Sequence, residues 1–355
     1  MSRFFSSRYS NLTPYTPGEQ PDRMQEYIKL NTNESPYPPH EDVAKAAAEA
    51  AAGLQIYSKP EWNELAGKLA EINGVEPDQI ILTNGSDEVL NFAFMAFADE
   101  NTPLAFPDIT YGFYPVFAEL NHIPYEEIPV GEDLAVDPDD YKGIGKTIVI
   151  ANPNSPTGTY MSLDQIEDIV RSNPDNIVII DEAYVDFGAE SAVKLVDRYD
   201  NLLVTQTFSK SRSLAGGRLG FGIGSRELVA DLNTIKYSTN PYNVNSMTAA
   251  AGLASVINND YYMSNGGSIM ETRQWTRSHL EELGFEVIDS KANFLFVKSD
   301  RIDGEKLYLE LKEKGILIRH FTKDRIAQYN RVSIGTMSQM EAFVRAVETI
   351  LEEQK

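Results

Sequence analysis

The chain predicts an α/β protein, and two observations carry that expectation. From about 36 to 245, short apolar runs rich in β-branched residues alternate with periodic helical stretches, as a mostly parallel sheet with crossover helices requires. After 245 the order changes to a long helical stretch, short strands and two further helices, which reads as a smaller α+β unit. A length of 355 residues suits two domains. We therefore expect an N-terminal arm over 1–35 that packs with the small domain. A large domain over 36–245 follows, its central sheet sandwiched by helices, and a small C-terminal domain occupies 246–355.

The arm is polar and turn-rich, with Pro14, Pro17, Gly18 and Pro21. In the large domain the apolar runs place strands at 79–83, 104–106, 147–151, 177–180, 202–207 and 220–223. Helices are expected at 42–53, 62–73, 87–98, 164–172 and 226–232. In the small domain, helices at 260–283, 304–314 and 338–353 accompany strands at 293–297, 316–319 and 331–334.

Composition excludes several functions. With 53 acidic and 31 basic residues the net charge is −22, which repels nucleic-acid phosphates and anionic membranes alike. Any bound phosphate must then be held by a local device. The absence of cysteine rules out disulfides, thiolate metal sites and cysteine nucleophiles. His40, His122, His279 and His320 are scattered, so no metal is expected. The longest apolar stretch, 92–98, is far shorter than the ~20 residues of a membrane span, and the first residues lack an apolar leader. The reading is a cytoplasmic protein with neither nucleic-acid nor membrane partners.

Four segments carry chemistry. Thr83-Asn84-Gly85-Ser86-Asp87-Glu88 follows a strand and opens a helix, where free N–H groups and the positive dipole end suit a phosphate; simple helix capping by Ser86 and Asp87 is the plainer alternative. Asn152-Pro153-Asn154-Ser155-Pro156-Thr157-Gly158 lies after a buried strand, at the sheet edge where open α/β folds bind ligands. Asp181 ends the next strand and Tyr184 follows three residues later, so both side chains can reach one ligand. A carboxylate there can keep a pyridine nitrogen protonated, which makes the ring an electron sink. Thr207-Phe208-Ser209-Lys210 ends another strand and Gly216-Gly217-Arg218 follows. A lysine so placed can form a Schiff base with an aldehyde, while Ser209 and Arg218 supply charge-assisted bonds to a phosphate. Two commoner phosphate motifs fail. Asp140 stands where a P-loop ending in Gly145-Lys146-Thr147 needs glycine, and no G-x-G-x-x-G register fits Gly217, Gly220, Gly222 and Gly224.

Taken in order, these pieces resemble the aminotransferases of class I and II, which bind pyridoxal 5′-phosphate (PLP) and share the aspartate aminotransferase fold. The most specific part is a spaced series. Asp181 lies 27 residues after Asn154, Tyr184 three after Asp181, Lys210 29 after Asp181 and Arg218 eight after Lys210. The resemblance implies that Lys210 carries the cofactor and shifts the proton, and that Asp181 pairs with the pyridinium. It gives Asn154 and Tyr184 to the ring's O3′, Ser86, Asp87, Ser209 and Arg218 to the phosphate, and Tyr111 to stacking on the ring. Within that family the chain looks most like the histidinol-phosphate aminotransferases, through Leu12-Thr13-Pro14-Tyr15, Asn31-Thr32-Asn33-Glu34-Ser35-Pro36, Pro241-Tyr242-Asn243-Val244-Asn245 and Arg331-Val332-Ser333-Ile334-Gly335-Thr336. That branch implies a carboxylate fork at Arg331, a substrate-phosphate contact at Arg319, and substrate contacts at Tyr15 and Asn154. It also implies an amino donor with a 2-oxo acid acceptor, and a homodimer in which Tyr57 reaches the neighbouring subunit's cofactor phosphate. Ser155 and Gly217 depart from the residues usual at their positions. Close relatives transaminate aromatic amino acids or decarboxylate threonine phosphate with nearly the same set, so both activities remain alternatives.

Overall fold

The computed structural model describes residues 2–21 and 26–354. A two-residue strand, β1 (Ile28–Lys29), precedes seven strands of one sheet: β2 (Ile80–Thr83), β3 (Leu104–Pro107), β4 (Tyr125–Ile128), β5 (Thr147–Ala151), β6 (Val178–Asp181), β7 (Leu202–Thr207) and β8 (Gly220–Ile223). Their spatial order is β2-β8-β7-β6-β5-β3-β4, and only β8 runs antiparallel to its neighbours. The central strands are apolar throughout because both faces are covered, as parallel sheets require. Ile148, Ile150, Val178, Ile180, Leu202 and Val204 join the core on one face. Val149, Ile179 and Leu203, the alternate positions, join the core on the other.

A second, antiparallel sheet has the order β12-β13-β10-β9, from β9 (Glu286–Val287), β10 (Phe294–Lys298), β12 (Arg319–His320) and β13 (Asn330–Ser333). The helix Met337–Glu353 closes it with Met340, Phe343, Val344, Val347, Ile350 and Leu351, a stripe at helical spacing behind a Thr336/Gln339 capping box. β1 pairs in parallel with β11 (Ile316–Leu317), and Leu30 enters this smaller core. Ile109, Val130 and Leu134 meet Phe296, Ile326 and Tyr329 in an apolar seam between the two units.

Several elements differ from the sequence reading: β1 and β9 were not expected, and the strand expected over 316–319 is divided between β11 and β12, which belong to different sheets. The helix Phe113–Asn121 and the exposed edge strand β4 lie where no element was expected. β4 reads Tyr-Glu-Glu-Ile, without an apolar face to betray it. The helix Ser246–Ile257 was also missed, being buried too evenly to show a period. It places Ala249, Ala251, Ala254 and Val256 in the core of the seven-stranded sheet, so a division at 245/246 separates it from the side chains it packs against.

Candidate active site

The antiparallel course of β8 builds one end of the sheet into a site. Gly220 pairs with both Thr83 and Thr207, which brings the segments leaving β2 and β7 beside the residue that precedes β8. A Cβ at Gly220 would lie 2.3 Å from the Ser86 nitrogen, so only glycine lets the helix Ser86–Phe97 start there. A cavity of about 380 Å³ opens at this end, lined by Ser86, Asp87, Tyr111, Asp181, Tyr184, Ser209, Lys210 and Arg218 among others. Eight residues singled out in the sequence thus face one space.

Asp181 ends β6 between Ala151 and Thr205 and is 4% exposed. Tyr114 Oη donates to its Oδ2 at 2.9 Å and Thr205 Oγ1 to its Oδ1 at 3.2 Å. Burial outweighs both bonds and pushes its carboxyl up to about 6 from the ordinary 3.8. Since the folded value is the higher one, the stabilisation from this group is complete below pH 4 and lost as pH rises through 6, above which folding buries a charge. The gap corresponds to about 3 kcal/mol. Ligand-free Asp181→Asn should therefore melt above the wild type at pH 8, with the advantage shrinking between pH 6 and pH 4; thermal denaturation across that range checks it.

Lys210 Nζ donates to Thr32 O at 3.1 Å and stands 5.7 Å from the centre of the Tyr184 ring. Tyr184 Oη accepts from Asn33 Nδ2 at 3.0 Å. Burial would push this hydroxyl up, but the Lys210 and Arg331 cations and the Asn33 bond outweigh it and hold it below the usual tyrosine value. The phenol is thereby primed to share its proton.

At the far end of the cavity the helix Ser86–Phe97 presents its first N–H groups, which have no acceptor within the helix. Arg218 adopts φ +53° and points Nη2 to Asp87 Oδ2 at 3.2 Å, while Tyr111 Oη donates to Asp87 Oδ1 at 2.9 Å. The Asp87 carboxylate is thus a tether for Arg218 and Tyr111. What it can offer an anion is its backbone N–H. Together with the Ser209 hydroxyl and the guanidinium, this end gathers donors that an anion such as phosphate could accept.

A second cavity, of about 370 Å³, shares Thr32, Tyr111, Ser155, Tyr184 and Lys210 with the first, so the two meet at the lysine. Arg331, Arg319 and Tyr15 line it. Arg331 donates to Ser155 Oγ at 3.1 Å and to Asn31 O at 3.0 Å, whereas its buried Nε has no partner. Among the described residues no carboxylate pairs with it, and burial pulls its guanidinium below the ordinary arginine value. Arg319 donates to Pro17 O and Thr16 O, at 3.4 and 3.5 Å, and lies 5.9 Å from the centre of the Phe321 ring, while Tyr15 stacks on Phe113 with ring centres 4.2 Å apart.

Two expected residues stand apart. Asn154 is buried but lines neither cavity. Its amide donates to Ile109 O at 2.9 Å and Thr157 Oγ1 at 3.0 Å and its oxygen accepts from Thr110, so it anchors the loop that carries Tyr111. Tyr57 is 83% exposed and stacks on Tyr242, away from both cavities. Conversely, Tyr114, Thr205, Asn33 and Ser155 hold site groups without having been singled out. Asn33 and Ser155 lie inside motifs picked out in the sequence but had no role assigned there, and nothing local marks Tyr114 and Thr205, because their partner lies far along the chain.

A lysine between two cavities that both carry cations, above a buried carboxyl, is an arrangement that can hold an electrophilic anion on one side and a second anion on the other. The sequence matches the family Aminotransferase class I and II over residues 25–347, and the chain belongs to that family. It is 48% identical to the histidinol-phosphate aminotransferase of Brachyspira hyodysenteriae over 99% of this chain and 100% of that protein. It is also 45% identical to histidinol-phosphate aminotransferase 1 of Bordetella parapertussis, over 99% of each. The crystal structure of the Sinorhizobium meliloti histidinol-phosphate aminotransferase in complex with pyridoxal-5′-phosphate has the same fold, with a TM-score of 0.89 at 20% identity, covering 100% of this chain and 99% of that one.

Proposed function

We propose that this protein is a PLP-dependent aminotransferase that converts histidinol phosphate and 2-oxoglutarate to imidazole acetol phosphate and glutamate, in histidine biosynthesis. The observation that carries the reading is the junction of the two cavities at Lys210, with the donors that include Arg218 behind it and Arg331 and Arg319 ahead. Relatives of 45–48% identity over the full chain bear the corresponding name.

The residues fit the cofactor. The Asp181 carboxyl is buried without a cation, and a pyridinium beside it would reverse the cost of its ionisation. Ser86 and Asp87 offer backbone N–H groups, and Ser209 and Arg218 side-chain donors, to its phosphate, and Tyr111 covers the ring. When bound, PLP supplies an aldehyde for the amine and a protonated ring that takes up the electron pair of the broken Cα–H bond. Lys210 Nζ is the base that removes the Cα proton and returns it to the acceptor carbon. Tyr184 steadies the ring's phenolic oxygen; Asn154 must release Ile109 O or Thr157 Oγ1 to join it. Arg331 grips the carboxylate of glutamate and Arg319 the phosphate of histidinol phosphate, with Tyr15 walling the cavity.

We further assign the arm to residues 1–35, the large domain to 36–245 together with the helix Ser246–Ile257, and the small domain to the rest. We also assign Tyr57 to the neighbouring active site of a homodimer, a reading its 83% exposure leaves open to a partner subunit. Among the described residues no helix is long and apolar enough to cross a membrane, and we place the enzyme in the cytoplasm. The test is the visible spectrum of the PLP-loaded protein. Histidinol phosphate should convert the aldehyde form to the amine form, and 2-oxoglutarate should restore it. A response to glutamate with none to histidinol phosphate would remove the substrate and keep the transamination.

A further inference from the structure

The proposed substrate cavity must accept two differently distributed charges in turn: histidinol phosphate puts two negative charges on one phosphate at neutral pH, whereas glutamate divides two between its α- and side-chain carboxylates. Its cations come mostly from one stretch: Arg319, Lys323, Arg325 and Arg331 lie within thirteen residues of a chain whose net charge is −22. Three of the four, Arg319, Lys323 and Arg331, line the cavity.

Lys323 is the one of these that no motif singles out. It sits on the segment between β12 and β13 and reaches across the seam between the two units, where its Nζ donates to Asp108 O at 2.5 Å. The Asp108 carboxylate is committed elsewhere. Arg325 Nη1 donates to its Oδ2 at 3.1 Å and the Val130 N–H to its Oδ1 at 2.9 Å, while Lys323 Nζ is 4.0 Å from the nearer oxygen. Arg325 also donates to Val130 O and Gly131 O, which fixes it as the structural cation of the pair. The acid is therefore neutralised mainly by Arg325. An ammonium on a flexible stem, 45% exposed and bound closely to a single carbonyl, keeps donors for a ligand.

We propose that Lys323 is a specificity-determining residue: its ammonium completes the cation set of the substrate cavity and favours a phosphate dianion over a carboxylate monoanion. This rests on the reading that the cavity takes histidinol phosphate. The physical reason is that two charges on one group roughly double the Coulomb attraction to a cation beside that group, and a half-exposed ammonium lining the cavity can meet the outer phosphate oxygens. A carboxylate, with two oxygens, is already saturated by the Arg331 fork.

The experiment compares the wild type with Lys323→Met and Lys323→Arg in the two half-reactions, histidinol phosphate with the PLP form and glutamate with the same form. The ratio of their kcat/KM values is expected to fall roughly tenfold in Lys323→Met, mainly through KM for histidinol phosphate, and to recover in Lys323→Arg. Inorganic phosphate, as a competitor of glutamate, should inhibit Lys323→Met more weakly than the wild type. The difference should grow from pH 5.5 to 7.5 as the second phosphate proton leaves. A ratio and a phosphate inhibition that both stay at wild-type values would overturn the role. So would parallel losses with both substrates, which would mark Lys323 as a tether of the seam. If the wild type turns over glutamate but not histidinol phosphate, the substrate reading fails instead, and the phosphate competition still reads Lys323.

Discussion

Lys210→Ala is expected to abolish transamination, with a fall in kcat of roughly 10⁴-fold or more, because the same nitrogen both holds the cofactor and carries the proton. The site contains no substitute. Asp181 lies below the cavity and is committed to Tyr114 and Thr205, and the Tyr184 hydroxyl accepts from Asn33. Borohydride should fix PLP to the wild-type chain and leave the variant unlabelled. Peptide mapping that found the label on another lysine, in either protein, would move the active site elsewhere.

Arg331→Lys should reduce kcat/KM for glutamate by about a hundredfold while PLP is retained, since an ammonium cannot reproduce the two parallel bonds of the guanidinium fork. Half-reaction kinetics beside absorbance titration of the cofactor separate the two effects, and equal losses of both would contradict the assignment. The same arginine predicts a stability effect of opposite sign. Its Nε is buried without a partner and no described carboxylate balances its charge. Ligand-free Arg331→Met should therefore melt higher than the wild type, because removing a half-buried cation that faces no described carboxylate relieves a desolvation cost that its place over the Phe294 and Phe321 rings offsets only in part. A lower melting temperature would mean that the contacts to Ser155 and Asn31 O outweigh that cost.

The parallel strands were legible because burial on both faces leaves nearly unbroken apolar runs such as Ile148-Val149-Ile150 and Ile177-Val178-Ile179-Ile180. β4, on the exposed edge, carries Glu126 and Glu127 and left no such trace. The antiparallel direction of β8 was equally hidden, since direction depends on which neighbours a strand finds, and here it aligns Arg218 with the loops of Ser86 and Lys210. Ser86, Asp87, Ser209 and Arg218, which the structure brings to one cavity, could be named because each sits at a strand or helix end with its own local signature. Thr205 and Tyr114 escaped because their only distinction is the Asp181 carboxylate, 24 and 67 residues away in sequence. Asn154 shows what sequence order leaves open: a loop asparagine has several partners within reach, and here its amide takes Ile109 O and Thr157 Oγ1.

The stretch Asn31 to Asn33 touches three working groups in three consecutive residues. Asn31 O holds Arg331, Thr32 O holds Lys210, and the Asn33 amide holds Tyr184. When a carboxylate draws Arg331 away from Asn31, the adjoining peptide loses an anchor only one residue from the carbonyl that restrains the amine. The two chambers thus share a short ribbon of backbone, and a shift of it driven by a ligand in one would be felt equally from the other.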